Sequence, residues 1–138
     1  MITFHTEDTA SPPISKRATT NWIKSVAGTY HKKIGEIAYI FCSDACILKI
    51  NNEYLQHDYY TDIITFDYSA GNVISGDIFI SLDTVKSNAE TYNQSFEKEL
   101  HRVIIHGILH LCGQADKSPE ERAEMTHKEN LALQAIGL

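Results

Sequence analysis

Leu100-His101-Arg102-Val103-Ile104-Ile105-His106-Gly107-Ile108-Leu109-His110-Leu111-Cys112-Gly113 is the stretch that decides the fold class. Its apolar residues Leu100, Val103, Ile104, Ile105, Ile108, Leu109 and Leu111 cover nearly every face of a helix, so that helix is buried on most sides. Such a helix needs a sheet and further helices around it. Gly113 is placed to end it in a left-handed cap and turn the chain back.

Working outward, Thr61-Asp62-Ile63-Ile64-Thr65-Phe66 reads as a strand. Ser69 to Asn72 turns the chain into a second strand, Ile74 to Ser81, where Gly76-Asp77 marks a bulge or a close approach. Met1 to His5 alternates apolar and polar residues, and Glu36 to Cys42 is β-branched and aromatic, which adds two more strands. Helices are expected from Ser11-Pro12-Pro13, past Ile14, Trp22, Ile23 and Val26, to a stop near Gly28, and from the Ser43-Asp44 cap to about Tyr54. Two more run roughly over Leu82 to Tyr92 and Phe96 to Cys112. A last one begins at the capping box Ser118-Pro119-Glu120-Glu121. The expectation is one α+β domain over residues 1–138, a small mixed β-sheet of about four strands covered by about five helices. Strand order is not readable from these patterns.

The bulk numbers agree. A chain of 138 residues, 43% hydrophobic and 22% charged, buries a core without staples, and no apolar run is long enough to span a membrane. No segment reads as an export signal, so Cys42, Cys46 and Cys112 are expected to be reduced thiols in a cytoplasmic protein. A net charge of −6 works against general nucleic-acid affinity, and Lys16-Arg17 and His31-Lys32-Lys33 read as solvated surface.

His106 and His110 lie four residues apart, so their rings leave one face of the buried helix together. Asp116, three residues past the Gly113 turn, comes within reach of the same point. Two imidazoles and a carboxylate are a three-ligand set for one Zn²⁺ with water in the fourth position, and zinc lowers the pKa of such a water toward ~7. A lone His-x-x-x-His is weak evidence for a metal; the buried context, the Gly stop and the Asp strengthen it. Cys112 and His101 point to other faces, and His5, His31 and His127 read as surface histidines. The helix lacks the Glu that follows the first His in zinc peptidases, since that position is Gly107, and peptide hydrolysis loses support.

Taken together, His106-Gly107, Leu109-His110-Leu111 and Gly113, with Thr61-Asp62-Ile63-Ile64-Thr65-Phe66 and Gly76-Asp77-Ile78 upstream, resemble the YbeY family of bacterial ribosomal-RNA maturation endoribonucleases. The resemblance implies a zinc-dependent endoribonuclease that prefers single strands. It would act in 3′-end maturation of small-subunit ribosomal RNA and in ribosome quality control, with that RNA, the small subunit or assembly factors as partners, and neither membrane nor DNA. Two positions depart from the family pattern. Most members have His where Asp116 stands, and an Arg, thought to hold or polarise the scissile phosphate, where Leu55 follows Asn51-Asn52-Glu53-Tyr54. Leucine cannot donate to phosphate; His57, two residues on, could supply a donor instead. Whether water or the RNA 2′-hydroxyl attacks stays open. The alternative function is a ribosome-assembly binding factor whose zinc is mainly structural.

Overall fold

Alternation along four apolar stretches divides the side chains between two sheet faces. The computed structural model describes residues 1–55 and 61–138. Its elements run β1 (Ile2–Thr6), α1 (Lys16–Thr29), β2 (Lys33–Cys42), α2 (Asp44–Leu55), β3 (Ile63–Asp67), β4 (Val73–Ser81), α3 (Leu82–Thr91), α4 (Phe96–Leu111) and α5 (Pro119–Gln134). The strand order is β1-β2-β4-β3. Both β1 and β4 are parallel to β2, whereas β3 is antiparallel to β4. The mixed α+β sheet expected from the sequence is therefore present, with β3 at an edge and α4 packed on it.

On one face, Ile37, Tyr39 and Phe41 of β2 and Ile78 and Ile80 of β4 meet Trp22, Ile23 and Val26 of α1 and the apolar residues of α4. Ile64 and Phe79, one residue out of phase, turn to the other face and join Cys42 and Ile47 of α2. Each buried Ile or Leu contributes about 1.5–3 kcal/mol, so the larger interior carries most of the stability and α4 runs through it. Two buried polar tips register the helices. The Tyr39 hydroxyl donates to the Ile104 carbonyl of α4 at 2.8 Å, and the Trp22 indole donates to the Ala132 carbonyl of α5 at 2.9 Å.

The start of α1 is a correction: it opens at Lys16, not Ser11, and Ser15 is its cap, accepting from the Ala18 amide at 3.1 Å. A residue before proline is driven out of helical dihedrals, and Ser11-Pro12-Pro13 carries that restriction at two successive positions. The helix stops at Thr29, near Gly28 as expected. The Lys32 amide bonds the Ala27 carbonyl and the His31 amide that of Gly28, a Schellman turn with His31 at φ 61. Of the two roles expected at Gly76, close approach is the one found, since a side chain there would meet the Phe66 carbonyl and Leu111. The bulge lies across the ladder in β2, between Ile34 and Ile37. Among the described residues no helix is long and apolar enough to cross a membrane.

Candidate metal centre

The groove beside α4 is built from a helix, a turn and a return. Ser95 caps α4, and the four-residue spacing of Arg102, His106 and His110 places all three on one side of it, where they line the groove with β3. Gly107 follows on the flank that meets the sheet. A Cβ there would stand 3.1 Å from Ile78 and 3.2 Å from Ile63, so the helix sits close enough to the sheet to exclude a larger residue. A glutamate at 107 would therefore press against Ile78 and Ile63.

At its end, α4 closes in a second Schellman turn. The Gln114 amide bonds the Leu109 carbonyl at 3.0 Å and the Gly113 amide that of His110 at 2.9 Å, with Gly113 at φ +101. The chain then returns over the histidine face and enters α5 through the Ser118–Glu121 capping box, as expected. Asp116 lies on this return. Its Oδ2 is 3.4 Å from His106 Nε2 and 3.3 Å from His110 Nε2. One ligand atom from each of the three falls within 4.8 Å of the others, so the group could hold one metal ion. Ligand atoms at 2.0–2.1 Å from a tetrahedral ion lie roughly 3.3 Å apart, and the two contacts match that spacing. Both Nε2 atoms converge on a single carboxylate oxygen, which an ordinary His–Asp pair does not require. The side chains remain 21%, 30% and 35% exposed in the order His106, His110, Asp116, leaving an open side toward the groove.

That groove, about 640 Å³, runs between β3 and the α4–α5 corner. Asp62, Asp67, Glu99, Asp116 and Glu129 line it, and Arg102 is the only Lys or Arg among its described lining residues. Burial raises the Asp62 carboxyl above its ordinary range, against the pull of the His106 charge. Burial likewise raises Glu99, opposed by Arg102. For His106 burial acts to lower the pKa, but its hydrogen bond to Glu129 and the charges of Glu129, Asp116 and Asp62 outweigh it, and the net shift is upward.

Glu129 was not among the residues the sequence singles out. Its Oε2 is 2.6 Å from His106 Nδ1, and Arg102 Nη1 donates to its Oε1 at 2.9 Å. A signal existed. Glu129 falls in phase with Met125, Ala132 and Leu133, the other buried residues of α5, and a carboxylate in an apolar stripe needs a partner inside. The remaining histidines stand apart: His101 packs on Trp22 at 5.6 Å between ring centroids, and His5, His31 and His127 are exposed. Cys112 caps α4 and packs against the larger core. His57 lies outside the described residues, and Leu55 is the half-exposed last residue of α2.

A family model described as Endoribonuclease YbeY matches residues 2–137. The chain belongs to the YbeY family. Endoribonuclease YbeY of Phocaeicola vulgatus is 64% identical over 138 residues, covering 100% of both chains. Its counterpart in Bacteroides fragilis is 66% identical over 132 residues, 96% of this chain and 95% of that one. Among solved structures, the solution structure of TM1509 from Thermotoga maritima has 27% identity, a TM-score of 0.69, and coverage of 97% of this chain and 87% of that one. The YbeY match takes in the Thr61–Phe66 and Gly76–Ile78 strands together with the helix that carries His106 and His110.

Proposed function

We propose that this protein is a zinc-dependent endoribonuclease that cuts single-stranded RNA in the groove beside α4. Its substrate in this reading is the 3′ region of small-subunit ribosomal RNA precursor, processed in the cytoplasm on or near the small subunit as part of ribosome maturation and quality control. The observation that carries the reading is the convergence of His106, His110 and Asp116 on the open side of the groove, in a chain of the YbeY family. His106, His110 and Asp116 would hold the ion, and a bound zinc supplies Lewis acidity toward a phosphate oxygen or an attacking water. Around it the chain's own residues set the geometry. α4 fixes both rings, Asp116 closes the set from the return loop, and β3 forms the facing wall.

A second reading has one observation in its favour. Among the described lining residues, five carboxylates stand beside a single Arg. A ribosome-assembly factor with structural zinc fits that charge pattern. The discriminating experiment incubates zinc-loaded protein with a precursor of the small-subunit RNA 3′ end, beside His106→Ala/His110→Ala purified identically. Cleavage by the wild type alone, falling to the metal-free background in the variant, establishes the nuclease. Equal, negligible cleavage with zinc still bound to the wild type moves the function to the assembly factor.

A further inference from the structure

Glu129 is a buried carboxylate on a helix that otherwise buries Met125, Ala132 and Leu133. A carboxylate taken out of water costs several kcal/mol unless charged partners and hydrogen bonds compensate. Here the two oxygens have different partners, His106 Nδ1 at 2.6 Å and Arg102 Nη1 at 2.9 Å. Arg102 is fixed in turn, its Nη2 donating to Asn130 Oδ1 at 2.8 Å. The chain Asn130–Arg102–Glu129–His106 ties α5 to α4 and ends on a candidate ligand.

An ionised carboxylate only accepts hydrogen bonds, so a neutral His106 beside it carries its proton on Nδ1 and its lone pair on Nε2. Nε2 is the atom that stands 3.4 Å from Asp116. We propose that Glu129 is a positioning residue: it selects the His106 tautomer whose free nitrogen faces His110 and Asp116, and Arg102 holds Glu129 in place for that task. The effect on metal affinity rests on the metal-centre reading above, whereas the tautomer choice belongs to the metal-free chain as well. A role confined to docking α5 on α4 would leave the ring free to carry its proton on either nitrogen.

Two measurements test this. One is the ¹⁵N shifts of the His106 ring in metal-free protein at a pH where the ring is neutral; the other is zinc affinity by competition with a chromophoric chelator. The wild type is expected to show the Nδ1–H tautomer. Glu129→Ala is expected to mix the tautomers and weaken zinc binding by about 10–100-fold, the range for removal of a partner behind a ligating His. Glu129→Gln keeps the shape without the charge, folds, and is expected to lose about tenfold. Leu133→Ala, which removes a buried α5 side chain outside this chain of contacts, should lower stability and change neither readout. A wild-type ring protonated on Nε2, unchanged zinc affinity in Glu129→Gln, or an equal affinity loss in Leu133→Ala each overturns the proposal. An Nδ1–H ring in a wild type that binds no zinc would support the tautomer choice while sinking the metal-centre reading.

Discussion

Two of the three candidate ligands stand on α4 and the third on the loop behind it, and the two supports are built on opposite principles. The α4 side is held by packing: Ile104, Ile105 and Ile108 are fully buried, and Gly107 sits where a Cβ would crowd Ile78 and Ile63. The loop side is held by backbone conformation. Gly113, at φ +101 with open space where a Cβ would go, directs the chain back so that Asp116 meets the rings. The ring positions depend on side-chain packing, and the carboxylate position on one turn. The two glycines are thus the places to disturb each support separately.

The largest effect is expected at the packed side. Gly107→Glu places a long charged side chain against Ile78 and Ile63, where overpacking alone costs about 1–3 kcal/mol and an unpaired buried charge adds to it. Thermal melts should show Tm lower by on the order of 10 °C, or no cooperative transition. A wild-type Tm would mean that α4 does not sit against the sheet as described.

A smaller loss, about 1 kcal/mol, is expected for Gly113→Ala, because the cost is backbone strain without a clash. Here the telling readout is zinc affinity, which should fall along with stability since the strained turn displaces Asp116. Zinc affinity unchanged at reduced stability would remove Asp116 from the ligand set. Asp116→His then sharpens the comparison: three imidazoles should retain zinc and discriminate more strongly against Mn²⁺ and Mg²⁺, which favour carboxylate oxygen. Competition titrations with the three ions would show no shift if the loop residue lies outside the site.

The smallest effect is a pH slope on the helix side. Burial opposes protonation of His106, but the Glu129 hydrogen bond and the nearby carboxylates raise its pKa above the ordinary 6.5. A folded pKa above the unfolded one adds stability that is complete below about pH 6.5 and is lost as pH rises through the folded value. Metal-free protein should therefore weaken toward alkaline pH across that window more than His106→Ala does, as read by urea melts at several pH values. Zinc should reverse the slope, since the ligand must be deprotonated to bind. Parallel pH profiles for wild type and His106→Ala would show that the Glu129 contact is not formed in solution.

Much of this was legible before any coordinates. The apolar wrapping of α4, the period of the strands and the capping box at Ser118 are local patterns, and each maps to a described element. The three ligand candidates were legible because eleven positions of one chain segment hold all of them, with a glycine marking the turn. What escaped was whatever depends on distant pairing. The β1-β2-β4-β3 order follows from how crossovers pack, which no single stretch encodes. α1 opens at Lys16 and not at Ser11 because each proline also restricts the residue before it. Glu129 and Arg102 meet only because α5 folds back on α4 across 27 residues of sequence.

The short span of the ligand set also shapes what the denatured chain can do. His106, His110 and Asp116 remain close neighbours even when every tertiary contact is gone, because a loop of ten residues closes cheaply. An ion that binds the native state will therefore keep some affinity for the unfolded ensemble, and its stabilising effect is the difference between the two. The share that survives this subtraction is set by the parts the ensemble lacks: the helical alignment of the two rings, and the carboxylate that arrives from α5.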